Sequence, residues 1–345
     1  MGNRLRALRR KILTPNVSAT SLDKRGFHKK DQASQELLEK IGVIFLGGYA
    51  DAVEASSVAD ARERLAQVEH RFRGFAYEGA GMGYGMLDGL PFGHRHHNDD
   101  FLAGPAAEQI YIVYCGIGWA MARLPRFRWP AAADLDPLLR WLVLDGYGFH
   151  QAYFHTRRYV HEHYQEPRFP WPDKDSDAAV EYANRALDQG IGRALWFVGG
   201  TDVDQVHGLL SRFPAQRHGD LWAGVGLAST YACGADRDDL TRLKELAGEH
   251  RPQLAQGSAF AAEARVRAGL LIPQTAVATE VLCGTDPETA ARISVDARPE
   301  SASNGAENGP GNGPGNGVEN GELPAYELWR QRIANEFVSL GGVST

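Results

Sequence analysis

The chain has 345 residues, of which 43% are hydrophobic and 23% are charged, and its formal net charge is −6. This composition is typical of a folded globular protein, and the longest apolar run, 110–122, is shorter than the ~20 residues that span a bilayer. The three cysteines, Cys115, Cys233 and Cys283, form no C-x-x-C pair, which argues against a disulfide framework or a zinc site. No signal peptide is recognisable, so we expect a cytoplasmic protein that is soluble or peripheral to the membrane.

The first 30 residues form a basic arm, in which nine Lys or Arg against one Asp give a net charge of +8 and leave −14 on the remainder. Over residues 4–13, apolar Leu5, Leu8 and Ile12 recur at helical spacing among basic residues. This pattern is typical of a helix that lies on an anionic membrane surface. The alternative is a solvated helix docked on the acidic body. Nucleic-acid binding is not expected, because the body is acidic and the arm lacks interleaved aromatic residues.

Glycine and proline divide the rest of the chain into segments that read as helices, without a convincing alternating strand, so we predict an all-α fold. The pair Asp136-Pro137, a capping residue followed by proline, predicts the start of a helix that continues toward Phe154. Gly146 and Gly148 are predicted kink sites in this helix. Helices are predicted over 31–41, 51–72, 176–189, 203–213, 237–249, 252–268, 275–282 and 286–293.

Residues 57–83 repeat in residues 202–228 at a constant offset of 145, so that Gly79 matches Gly224. The flanks agree as well. A Phe-x-Gly-Gly step precedes both copies, starting at Phe45 and at Phe197, and a small-residue segment with one aromatic residue and an Arg follows both, starting at Gly116 and at Gly257. Repeats of this length usually mean that one helical unit stacks on its twin to bury an apolar face. We therefore predict two duplicated helical halves related by a pseudo-twofold axis.

The predicted organisation has six parts. A basic arm precedes the first half, a proline-rich connector joins the halves, and an Asn/Gly-rich linker leads to a C-terminal amphipathic helix that we expect to dock on the body of the same chain. The apolar stripe of that last helix consists of Tyr326, Trp329, Ile333 and Phe337. The boundaries are 1–30, 31–164, 165–174, 175–298, 299–324 and 325–345.

The two copies differ by one carboxylate, because Glu78 of the first copy is replaced by Ala223 in the second. An acid among small apolar residues must be paired, protonated or solvated by a cavity, since burying a lone charge is costly. Glu78 is therefore the first catalytic candidate, and a structural acid bonded to backbone or to an Arg is the alternative. The surrounding glycines break the G-x-G-x-x-G spacing and indicate close helix packing rather than a dinucleotide site.

A polar loop carries His94, His96, His97, Asp99 and Asp100, residue types that suit a divalent metal. No helix is predicted there to fix a coordination geometry, and exposed clusters of this kind are usually solvated. The histidines at 150, 155, 161 and 163 do not form a metal-binding motif either, because they are too far apart along their helix. We therefore assign no metal site.

Asp145 and His150 lie among aromatic residues, where they would supply a carboxylate and an imidazole with acid or base capacity near neutral pH. A core histidine with its hydrogen bonds satisfied is the alternative. The side chains that we expect to shape an apolar substrate pocket are Tyr77, Trp119, Tyr147, Phe149, Tyr153 and Trp222.

Asp236, Asp238 and Asp239 spell D-x-D-D, the acid motif with which class II isoprenoid cyclases protonate an alkene. Such cyclases are also duplicated all-helical proteins, which makes Asp238 a second catalytic candidate. The triplet stands just before a predicted helix, however, where acids commonly serve as caps and as partners of the helix dipole.

Six ordered segments stand out along the chain: LTPNVSATSLDKRGF, RGFAYEGAGMGYGMLD, YCGIGWAMARL, LDGYGFHQAYF, DLWAGVGLASTYACG and QGSAFAAEAR. Together they resemble a bacterial family of unknown function encoded beside enediyne polyketide synthases, over about residues 5–285. The resemblance implies a role in converting a polyene chain into the enediyne core, alongside other proteins of the same gene cluster. It supplies no catalytic residue.

Three functions remain open at this point. The first is an enzyme that acts on a linear polyene, with Glu78, Asp145 and His150 handling protons. The second is an isoprenoid cyclase that uses Asp238 as its acid. The third is a non-catalytic scaffold that holds the polyene at the membrane. No cofactor motif is recognisable, so we expect a cofactor-independent protein.

Overall fold

A computed structural model describes residues 3–91, 96–104, 106–299 and 323–341 of the chain. Helices make up 74% of it and no strand occurs in the described ranges, which confirms the all-α prediction. Within the same ranges, no helix combines the length and the apolar character that crossing a membrane requires.

Sixteen α-helices form the described part of the chain. They are α1 Asn3–Leu13, α2 Leu22–Arg25, α3 Gln32–Glu54, α4 Val58–Ala66, α5 Arg73–Asp88, α6 His97–Leu102, α7 Ile110–Met121, α8 Trp141–Phe154, α9 Asp177–Val198, α10 Val203–Leu210, α11 His218–Tyr231, α12 Arg237–Ala247, α13 Arg251–Arg267, α14 Pro273–Leu282, α15 Pro287–Asp296 and α16 Ala325–Ser339. A π-helical turn, Arg157–His161, follows α8.

Several predicted helix boundaries are wrong, and the helix predicted over 176–189 continues as α9 to Val198. The helices predicted over 31–41 and 51–72 are divided differently, because α3 continues to Glu54 and the backbone of Ser57 is extended, so that its side chain caps α4. The helix predicted from Asp136 begins at Trp141; Asp136 instead caps the preceding turn by accepting hydrogen bonds from the backbone N–H groups of Leu138 and Leu139.

Helices α3, α5, α7, α8, α9, α11 and α13 pack each against the next in chain order, and glycines make their close approach feasible. A β-carbon added at Gly190 would lie 1.8 Å from the carbonyl oxygen of Asp145, so no side chain fits there. Five of these helices carry a G-x-G pair whose first glycine contacts the preceding helix and whose second contacts the following one: Gly79 and Gly81, Gly116 and Gly118, Gly146 and Gly148, Gly190 and Gly192, and Gly224 and Gly226. The predicted packing role of the glycines is confirmed. Helix α8 continues as one helix through Gly146 and Gly148, the two predicted kink sites.

Because the helices pack at their G-x-G pairs, the residues that directly precede these pairs lie at the same level along neighbouring helix axes. On each helix the carbonyl oxygen of that residue faces the first glycine of the next helix, as with Glu78 and Gly116 or Ala223 and Gly257. The residues at this equivalent position are Glu78, Cys115, Asp145, Gln189 and Ala223. The repeat that the structure shows is therefore one helix long, and the pseudo-twofold duplication stays a prediction.

The matched flanks of the predicted duplication differ in their agreement with the structure. Gly116 and Gly257 do occupy equivalent places, since each lies against the carbonyl group that precedes a G-x-G pair. The Phe-x-Gly-Gly match is wrong, because Gly48 lies within α3 against Ala76, whereas Gly200 follows α9 in a left-handed conformation with φ 60°.

The terminal helices α1 and α16 both dock on the body. Arg10 of α1 forms an ion pair with Glu54 at 2.5 Å, and Arg9 donates to the carbonyl of Val53. The docked arrangement is thus the one observed, although Leu8 and Ile12 remain 51% and 70% exposed; the side chain of Leu5 lies outside the description.

The prediction that the last helix packs on its own chain is confirmed, since the apolar stripe of α16 is buried throughout (Tyr326, Trp329, Ile333 and Phe337). Most of the Asn/Gly-rich linker lies outside the described residues.

Candidate functional site

A cavity of about 440 Å³ lies among helices α3, α5, α7, α8, α9 and α11. Its buried charged or polar lining residues are Thr20, Glu78, His150 and Arg193, while the exposed side chains of Arg123 and His155 mark its rim. The rest of the wall is largely apolar and includes Phe45, Phe75, Met82, Trp119, Phe149, Tyr153 and Leu227. A concave apolar site with a few fixed polar groups is the usual form of a small-molecule site.

Five of the side chains predicted for the site come together at this cavity: Glu78, His150, Trp119, Phe149 and Tyr153. Trp119 packs against Phe45, Phe149 and His150, with ring centroids 4.5 to 5.5 Å apart, so that one aromatic surface forms a side of the cavity.

Three predicted aromatic residues lie elsewhere. Tyr77 stacks on Phe101 with ring centroids 5.6 Å apart, and Tyr147 packs edge to face against Trp129 and Phe169. Trp222 lies beside His207 on the other side of its helix. None of the three lines the cavity, although all three are buried.

Arg193 connects the cavity to a buried polar cluster. Its guanidinium lies 3.2 Å from the Glu78 carboxylate, donates to the Asp145 carboxylate and lies 3.3 Å from the Cys115 sulfur. Gln189 donates to Asp145 at 2.7 Å and contacts the Tyr326 hydroxyl of α16 at 3.1 Å. Asp145 is fully buried behind the cavity wall, so it holds Arg193 in place instead of facing a ligand.

Burial in this cluster favours a proton on Glu78. Burial raises the pKa of Glu78, Arg193 opposes that rise, and the Asp145 carboxylate adds to it. Burial works against the charge of Arg193, but Asp145 and Glu78 raise its pKa well above the usual value, so it stays protonated. One guanidinium thus faces two carboxyl groups, and Glu78 is the one that can exchange a proton with the cavity.

Trp119 and His150 present polar nitrogen atoms that have no hydrogen-bond partner among the described residues, namely the indole nitrogen and Nδ1. The Trp119 nitrogen is near enough to Glu78 to lower its pKa slightly but does not form a hydrogen bond with it. Burial, with a smaller contribution from Arg123, lowers the pKa of His150 to about 3. The prediction of an imidazole that titrates near neutral pH is therefore wrong, and His150 is a neutral polar group that also makes no contact with Asp145.

The D-x-D-D acids form a helix cap. Asp236 accepts from the backbone N–H of Asp239 at 2.9 Å, and Asp239 accepts from that of Asp236 at 3.3 Å, which together form a capping box. Asp239 also pairs with Lys30, whereas Asp238 is exposed to solvent and does not line the cavity. The capping alternative is the one observed, and it gives Asp238 no contact with a buried substrate.

The prediction of a polar loop without a helix is wrong for part of the histidine-rich segment, because His97–Leu102 form α6, and two of its histidines pair with nearby carboxylates. His96 lies 2.8 Å from Asp99, and His97 lies 2.7 Å from Asp88. His94 falls outside the described residues. Within the described ranges, no group of three or more His, Cys, Asp or Glu side chains converges as metal ligands would.

Arg193, Gln189 and Cys115 are the members of the site that sequence reasoning missed. The G-x-G repeat contains the signal for them, because Cys115 and Gln189 each precede such a pair, as Glu78 and Asp145 do. Arg193 directly follows the G-x-G pair of α9. Met82 and Trp119 occupy the same position on α5 and α7, and all three residues line the cavity. A single arginine at an otherwise apolar position of the repeat would have indicated the ion pair.

Comparison with known proteins places the chain in a family but gives it no characterised relative. No curated protein and no solved structure matches it significantly. A family model described as a protein of unknown function, DUF1702, matches residues 4–337, a range that contains every side chain of the cavity. The chain therefore belongs to the DUF1702 family.

Proposed function

We propose that this protein binds a linear polyene in its apolar cavity and acts on it during formation of an enediyne core, with Glu78 as the group that transfers a proton. The observation that carries the proposal is the Glu78 carboxyl group in the wall of a largely apolar cavity, paired with Arg193, which lines the same wall. The resemblance of six chain segments to a family encoded beside enediyne polyketide synthases supports the choice of substrate.

The size and the wall of the cavity suit such a chain. A water-sized group occupies about 30 Å³, so 440 Å³ holds about 15 such groups, which corresponds to a hydrocarbon of roughly that many carbon atoms. The aromatic rings of Phe45, Trp119 and Phe149 line the cavity side by side, and flat conjugated double bonds stack favourably on such rings.

The chemistry that this arrangement supports is a shift of double bonds without a net change in composition. Glu78 would give its proton to one carbon of the chain, and the resulting carboxylate, stabilised by Arg193, would remove a proton from another carbon. An isomerisation or a cyclisation of this kind needs no cofactor. Asp145 would keep Arg193 oriented while Glu78 changes its charge.

Helix α1 supports an additional proposal, that the protein associates with an anionic membrane surface. Leu8 and Ile12 of this helix are 51% and 70% exposed although the helix is docked, and Arg4 and Lys11 are exposed beside them. The segment that follows α1 reaches the cavity, since Pro15 and Ala19 line it. A lipophilic chain dissolved in the membrane would then enter close to where the protein is anchored.

The test is Glu78→Gln in the purified protein, incubated with the polyene and followed by absorbance and mass spectrometry. The amide preserves shape but transfers no proton, so we expect the polyene to bind and not to be converted, with unchanged circular dichroism. Glu263→Gln, a buried carboxyl group outside this cavity, is the matched control and should leave conversion intact. Conversion by Glu78→Gln at the native rate would make Glu78 structural, and binding without conversion by the native protein would favour the scaffold function.

A further inference from the structure

A basic groove lies on the surface next to the cavity. It measures about 830 Å³ and is formed by α2, the end of α8, the π-helical turn and the segments near Arg126 and Tyr164. Two acidic residues, Glu162 and Glu166, and five basic residues line it, which leaves an excess of three positive charges when histidine is counted as neutral. The basic residues are Lys24, Arg25, Arg126, Arg157 and Arg158.

Two arginines of this groove keep their charge uncompensated. Arg126 pairs with Glu166 at 2.6 Å and Arg157 pairs with Glu162 at 2.9 Å, but no carboxylate among the described residues lies within 4.0 Å of the guanidinium groups of Arg25 and Arg158. The Arg25 Nε atom is buried and has no hydrogen-bond partner within the described chain. Guanidinium groups without a carboxylate are suited to an external oxyanion, which they bind through charge-assisted hydrogen bonds.

The groove and the cavity share part of their walls. Phe154 and His155 line both, and the Arg25 guanidinium lies over the Phe154 ring at 4.9 Å from its centroid. A hydrocarbon that fills the cavity and leaves it past Phe154 would therefore place its end next to Arg25. The apolar space and the positive charge are thus arranged for the two ends of one amphiphilic molecule.

We infer that the ligand of the cavity carries an oxyanion, a carboxylate or a phosphate, at one end of its hydrocarbon chain, and that Arg25 and Arg158 bind this group. The inference rests on the proposed function in so far as it takes the cavity to hold a linear hydrocarbon. It adds the end group and the direction in which the chain is bound.

The experiment compares tetradecanol, tetradecanoate and tetradecyl phosphate, each titrated against the full-length protein at low salt. Displacement of diphenylhexatriene, a neutral fluorescent polyene, reports occupation of the cavity. We expect the two anions to bind at least about tenfold more tightly than the alcohol, and Arg25→Gln/Arg158→Gln to remove this advantage while leaving the alcohol and diphenylhexatriene unaffected. The more tightly bound anion identifies the end group.

The matched control is Arg237→Gln/Arg242→Gln, which makes the same change of net charge at exposed residues of α12 and should preserve the advantage. Equal affinities of the three ligands for the native protein would overturn the inference, as would an equal loss in the control variant. If diphenylhexatriene itself fails to bind the native protein, the proposed function fails first, so the two failures are distinguishable.

Discussion

The guanidinium group of Arg193 lies 3.2 Å from the Glu78 carboxylate and also holds Asp145, so one side chain of α9 ties together α5 and α8 behind the cavity. Three ionisable groups are thereby removed from water in the centre of the molecule. Such an arrangement contributes little net stability compared with apolar packing, because desolvation offsets most of the attraction. We therefore interpret the cluster as the part of the interior that serves the cavity.

Replacing Arg193 by Met should destabilise the protein strongly, because Glu78 and Asp145 would then be buried without a cation. Breaking a buried pair in this way costs about 3–5 kcal/mol, measurable by urea unfolding. The variant Arg193→Met/Asp145→Asn, which removes one of the orphaned charges, should recover part of the loss. Arg242→Met, at an exposed ion pair, is the control and should change the unfolding free energy by less than about 1 kcal/mol. A similar small effect of Arg193→Met would show that the cluster is not desolvated.

Gly190 and Gly47 are both helical glycines, but their surroundings predict opposite effects of alanine. A β-carbon at Gly190 would lie 1.8 Å from the Asp145 carbonyl oxygen, whereas one at Gly47 would meet no atom within 4 Å. We expect Gly190→Ala to lower the unfolding free energy by about 3 kcal/mol, because α8 and α9 must move apart. Gly47→Ala should raise it by about 0.5–1 kcal/mol through its better helix propensity. Equal stabilities of the two variants in chemical denaturation would contradict the glycine-mediated packing.

The sequence predicts the helical class and the role of the glycines, because helical spacing and small residues are local signals. It also identifies Glu78, since a carboxylate among glycines is conspicuous. It does not reveal Arg193, whose importance depends on which helices become neighbours, nor that Tyr77, Tyr147 and Trp222 do not line the cavity. Aromatic residues fill protein cores as well as binding sites, so only tertiary packing separates these three from Trp119.

Removing residues 1–13 should abolish binding to anionic vesicles and leave the fold intact. The exposed Leu8 and Ile12 and the basic residues beside them lie in this segment, which contacts the body at Arg9, Arg10 and Leu13. Sedimentation with vesicles that contain phosphatidylserine is the measurement, and neutral vesicles are the control. Equal sedimentation of the truncated and full-length proteins would refute the proposed membrane association.

Trp329→Ala should lower the unfolding free energy by about 3–5 kcal/mol, because α16 completes the core of the same chain. The Trp329 side chain is 2% exposed, and its indole N–H donates to the Ser294 carbonyl at 2.6 Å. Leu328, the preceding residue, is 37% exposed, and Leu328→Ala is expected to cost less than about 1 kcal/mol. If both variants melt at the same temperature as the native protein, α16 is not part of the cooperative unit.

Glu263 should make the stability depend on pH between about 4.5 and 7. Burial raises its pKa to about 7, although Arg267 opposes the rise, and the Tyr111 hydroxyl donates to its carboxyl group at 3.1 Å. Because the folded protein holds this proton more tightly than the unfolded chain, the stabilisation is complete below the ordinary pKa of 4.5 and is lost as pH rises through 7. The contribution is at most about 3 kcal/mol, at 1.36 kcal/mol per pKa unit. In Glu263→Gln the unfolding free energy should fall less steeply over this range, and an unchanged pH profile in urea titrations would mean that Glu263 is already ionised at neutral pH.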